Sequence, residues 1–97
     1  MKFEREDGKC TFEIPDRPTV RQQLNYFSMA GGTDGNYLFK WWMGAQALIT
    51  SWQSKDIPDH TADLDSMSDP SQTDIIVWAG LRVREYLNGL EDIPKNS

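Results

Sequence analysis

Cysteine is nearly absent from the chain, and so is histidine. A single Cys10 cannot close an internal disulfide, so no disulfide framework supports the fold. The one histidine, His60, has no serine–aspartate or cysteine constellation near it in sequence, and Cys10 is far from it. Cys10 is therefore read as a small strand residue rather than a nucleophile. No apolar run approaches the roughly 18 residues of a membrane span. The charged opening Met1-Lys2-Phe3-Glu4-Arg5-Glu6-Asp7 does not resemble a signal peptide. Basic excess is missing as well: the formal charge is −5, which argues against nucleic acid and anionic membranes as partners.

What is present is apolar and aromatic. Of the 97 residues 38% are hydrophobic, with four Trp, three Tyr and four Phe, a composition that folds. The length fits one domain, 1–97. Residues 37–52, YLFKWWMGAQALITSW, hold three of the four tryptophans.

The expected fold class is α+β, an N-terminal β-hairpin packed on a three-helix, mostly α domain. Residues 2–14 give the hairpin: Cys10, Phe12 and Ile14 alternate with Thr11 and Glu13, and Asp7-Gly8 marks the turn. A first helix spans about 18–30, capped by Thr19 or Asp16, with Val20, Leu24 and Phe27 as its apolar face. Gly31-Gly32-Thr33-Asp34-Gly35 stops it. A second helix spans about 36–53 with Leu38, Trp41, Ala45, Leu48 and Trp52 as its core arc, widened by Trp42 and Ile49. Residues 54–69 form a polar, acidic loop. A third helix runs over about 70–88, started by Asp69-Pro70-Ser71-Gln72 and ended near Gly89. Its inward face is Ile76, Ala79, Val83, Tyr86, Leu87 and Leu90.

Candidate chemistry is sparse. Asp63-x-Asp65 resembles the start of a calcium loop, but Ser68 stands where glycine is needed and Asp74 replaces the final glutamate. The acidic segment is read as a solvated connection, with no metal and no cofactor. Gly31-Gly32-x-x-Gly35 lacks the lysine and hydroxyl of a phosphate loop. The expectation is a protein that is not an enzyme and has no catalytic residues. Its candidate partner-binding residues are Val77, Trp78 and Leu81, on the back of the third helix, with Phe39 and Met43, which are four apart on the second. A third helix apolar on both sides is either sandwiched at the centre of the fold or meets another protein chain with its back.

The order FEIPDRPTVRQQLNYF, WWMGAQALITSW, an acidic loop and IIVWAGLRVREYLNGLEDIPKNS resembles small virion-assembly proteins of tailed bacteriophages, most of all the tail assembly chaperones of long-tailed phages. The resemblance implies a small, acidic, helical protein, able to self-associate, that keeps the long tape measure protein soluble while the tail tube polymerises. It would act in the host cytoplasm or in the virion. Pro94-Lys95-Asn96 could be encoded by a slippery heptamer that yields a longer product. Two alternatives stand beside this: a structural virion component such as a head–tail connector or tail protein, and an acidic inhibitor of a host defence protein.

Overall fold

A computed structural model describes residues 1–31 and 36–95, the last five of these by backbone alone. Two strands come first, β1 (Lys2–Glu4) and β2 (Cys10–Glu13), and two helices follow, α1 (Val20–Ala30) and α2 (Tyr37–Leu48). A third strand, β3 (Ser51–Ser54), then precedes a single 3₁₀ turn (Leu64–Ser66) and the long α3 (Pro70–Lys95). The expected α+β architecture of hairpin and three helices is present.

The hairpin closes where Gly8 takes φ +74°, a left-handed conformation that glycine adopts without a Cβ penalty. Phe3 pairs with Phe12 in register across β1 and β2. β2 is the middle strand, because β3 joins its other edge with Phe12 opposite Trp52. An aromatic row therefore crosses the sheet: Phe3 stacks on Phe12 at 4.9 Å, and Phe12 lies 5.8 Å from Trp52. The helices close over this row. Trp42 of α2 meets Trp52 at 5.6 Å, Trp78 of α3 meets Phe12 edge-on at 5.4 Å, and Tyr86 meets Phe3 edge-on at 6.0 Å.

β3 replaces the last turn of the expected second helix. The helix ends at Leu48, and Ile49 is already extended. Thr50 then donates its backbone N–H to the Glu13 carbonyl at 2.9 Å, which begins the pairing with β2. Trp52, expected on the core arc of a helix, is a strand residue whose indole N–H donates to the Ile57 carbonyl at 2.6 Å.

The three helices pack side by side with α2 in the middle. Two glycines permit the close approach. Gly44 lies against Tyr26 and Ala30 of α1, and Gly80 of α3 lies against the backbone of Trp41 and Trp42. Thr19, not Asp16, caps α1, in a capping box with Gln22; Asp16 instead accepts from the Met1 amine. Gly31 caps the C-terminus of α1, and the remainder of the expected stop, 32–35, lies outside the described residues. α3 begins as expected at Pro70 but runs on through Gly89 to Lys95. Gly89 is not in the left-handed conformation that ends helices, and Leu87 and Leu90 continue the apolar spacing past it.

The buried core joins Cys10, Phe12 and Ile14 of the sheet segment to Trp42, Ala45 and Leu48 of α2 and to Ile75, Ala79 and Val83 of α3. Ile57 pins the acidic segment to this core. From α1 it takes Tyr26 alone.

Candidate protein-binding surface

The apolar face expected to bury α1 points to solvent. Val20, Leu24 and Phe27 keep 73%, 63% and 56% of their surface exposed. These residues lie at i, i+4 and i+7, on one side of the helix, about 100–160° around from Tyr26. The correction has a simple cause. α1 packs principally on α2, where Tyr26, the buried residue of α1, and Ala30 lie against Gly44. The sequence shows that α1 has an apolar stripe; it does not show which way the stripe faces.

Beside the stripe runs a groove of about 320 Å³ between α1 and the C-terminal half of α3. Phe27 and Tyr26 form one wall, Leu87 and Leu90 the other, and Arg17 and Pro18 close one end. A helix of α1's length exposing three large apolar side chains next to an apolar groove has the form of a helix-in-groove docking site.

The residues expected on the partner surface lie on α2 and α3. Phe39 is exposed near the start of α2, beside the exposed Tyr37 and Leu38. Met43 is partly buried against the core. Val77, Trp78 and Leu81 are all partly buried. Val77 is the pivot: on one side it shares a hollow of about 270 Å³ with Leu38, Phe39, Leu64, Met67 and Ile76. On the other it shares a wider trough of about 760 Å³ with Trp78, Leu81, Phe3 and Arg5. Trp78 is held from both sides, by Phe12 at 5.4 Å and by the Arg5 guanidinium 5.9 Å from its ring. Trp78 therefore packs on the sheet through Phe12.

The acidic segment is tied into the fold by local hydrogen bonds. Asp59 accepts from the backbone N–H and hydroxyl of Thr61, Asp63 from the N–H of Asp65, and Asp69 from the N–H and hydroxyl of Ser71. These bonds hold the Asp59 and Asp69 carboxyls below the usual range. Gln46 and Gln72 donate to the carbonyls of His60 and Asp56, which fixes the path of the segment. Burial pushes the Cys10 thiol up to about 11, so it is a neutral packing group at physiological pH. No helix among the described residues is long and apolar enough to cross a membrane.

No protein-family model matches the chain, and neither a curated protein nor a solved structure matches it significantly.

Proposed function

We propose that the protein is a non-enzymatic assembly factor that holds another protein's helix, in the manner of a phage tail assembly chaperone. The observation that carries this reading is the uncovered stripe Val20–Leu24–Phe27 on a domain whose core closes without it. Phe27 touches the core edge-on through Tyr26, but most of the stripe is exposed, and an exposed apolar stripe favours aggregation unless a partner covers it. The order of sequence features that resembles tail assembly chaperones supplies the finer form, with the tape measure or tail tube protein as partner and a protein that can form oligomers.

The test is co-expression with a long, helical tape measure protein. The soluble fraction of that protein should rise several-fold with the wild-type chain and return to its unaided level with Leu24→Glu/Phe27→Glu. Recovery of the chain in purified particles would point instead to a structural virion component. A longer product in intact mass spectra of the natural gene's output would add support for the chaperone.

A further inference from the structure

Neither α1 (Val20–Ala30) nor α2 (Tyr37–Leu48) carries a carboxylate, whereas Arg21 and Lys40 lie on them and Arg17 just before α1, in a chain with 15 acidic and 10 basic residues. The adjoining Asp16 accepts from the Met1 amine. Arg17 sits at the end of the groove beside Phe27. Arg21 follows Val20 and precedes Leu24 by three, which places it along the outer edge of the stripe. Among the described residues neither guanidinium has an ion-pair partner, whereas Arg5 and Arg82 do.

We infer that this groove receives an amphipathic helix of a different protein whose apolar side chains are flanked by carboxylates. The inference rests on the reading that the stripe is a partner seat, and it specifies the partner's chemistry. The stripe from Val20 to Phe27 is roughly 10 Å long, two turns of an α-helix, so two turns of a partner helix can lie along it. The groove beside Phe27 has space for one large apolar side chain of that helix. Carboxylates on the partner's flanks would meet Arg17 and Arg21, steering the encounter and setting the register. A second copy docked face to face through α1 would bring these arginines toward their own counterparts, a like-charge arrangement.

The test uses the full chain, ¹⁵N-labelled, and three helical peptides of about 18 residues. One carries leucines at i, i+4 and i+7 flanked by glutamates, one the same leucines flanked by lysines, and one the glutamates with alanines for leucines. The glutamate–leucine peptide should shift the amides of Val20, Leu24, Phe27 and Leu87 and bind at least about tenfold tighter than either of the others. The preference for glutamate should vanish in Arg17→Glu/Arg21→Glu and shrink as salt rises. Equal affinity for the glutamate and lysine peptides, or shifts confined to other surfaces, overturns the inference. So does a concentration-dependent dimer that Phe27→Glu abolishes, which would make a second copy the occupant. Adsorption to phosphatidylglycerol vesicles that the glutamate–leucine peptide cannot displace would overturn it in favour of a membrane. The co-expression result separates this inference from the function it rests on. Loss of charge preference with retained solubilisation removes only the partner chemistry. Retained charge preference without solubilisation removes the assembly role.

Discussion

Gly44 of α2 sits directly against the ring of Tyr26 on α1: a Cβ at Gly44 would stand 2.7 Å from Tyr26 Cε1 and 2.9 Å from the Ala30 methyl. This contact sets how α1 lies on the domain and, through it, which side of α1 remains uncovered. Gly80 does the same for α3, where a Cβ would come within 3.0 Å of the Trp42 backbone nitrogen.

Gly44→Ala should therefore destabilise the protein even though alanine is the better helix former. The gain in helix propensity is about 1 kcal/mol, and the overpacking cost is about 1–3 kcal/mol because Ala30 cannot rotate away. Gly89→Ala is the internal control. Nothing lies within 4 Å of its Cβ position, so the propensity term acts alone and the melting temperature should rise. Thermal unfolding by circular dichroism checks both; a Gly44→Ala protein as stable as Gly89→Ala would show that α1 is not held by this contact.

Trp78 and Leu24 should respond in opposite ways to substitution. Trp78 packs edge-on against the fully buried Phe12 and is only partly exposed, so Trp78→Ala should cost roughly 2–3 kcal/mol, less than the ~3–5 kcal/mol of a fully buried tryptophan. Leu24 is 63% exposed, so Leu24→Glu should change stability by no more than about 0.5 kcal/mol while abolishing the proposed partner binding. Urea unfolding of each variant separates them. A Trp78→Ala protein of unchanged stability would move the partner surface back to the Val77–Trp78–Leu81 side of α3.

These contrasts also show what could be read from the sequence. The hairpin was legible because Asp7-Gly8 and the Cys10–Phe12–Ile14 alternation are local signals that the Gly8 conformation and the Phe3–Phe12 pairing realise. The start of α3 was legible because Asp69 and Gln72 cap it within four residues. β3 was not: Leu48 to Trp52 has the spacing of a helical turn, and only the long-range bond from Thr50 to Glu13 decides for a strand. The β-branched pair Ile49-Thr50 was the available hint. The exposed stripe is visible in the sequence as Val20, Leu24 and Phe27, but the pattern alone reads it as a core face, because amphipathicity fixes a face and not its neighbour. The contact that turns it outward, Tyr26 on Gly44, joins residues of two helices whose relative rotation no local pattern encodes.

Cys10 gives a prediction against pH. Its thiol is raised from an ordinary value of 9.0 to about 11, first by burial, against the nearby Arg5, which pulls it down. The unfolded chain therefore loses this proton before the folded one does. The contribution to stability is whole below pH 9 and is lost as pH rises through about 11. The buried Tyr26 phenol is shifted upward as well, so the wild-type curve must be compared with Cys10→Ala. The variant should lose less stability between pH 9 and 11. At pH 8 native Cys10 should resist alkylation that proceeds readily in urea, and rapid alkylation of the native protein would show that the strand face is open.

The acidic segment offers the last contrast, between a ligand site and an anchored connection. The Trp52 indole donates to the Ile57 carbonyl, Gln46 to that of His60 and Gln72 to that of Asp56, so three side chains hold the stretch from 56 to 60. Trp52→Phe keeps an aromatic ring in the row with Phe12 but leaves the Ile57 carbonyl without its donor, a cost of about 1–2 kcal/mol. Hydrogen exchange should accelerate first around Ile57–His60, because that stretch loses an anchor while the helices keep theirs. Millimolar calcium should leave both the exchange pattern and the melting temperature of the wild type unchanged, since Asp59, Asp63 and Asp69 already accept hydrogen bonds from their own turns. A calcium-dependent rise in melting temperature, lost in Asp63→Asn, would instead make the segment a binding loop and would require those turns to open.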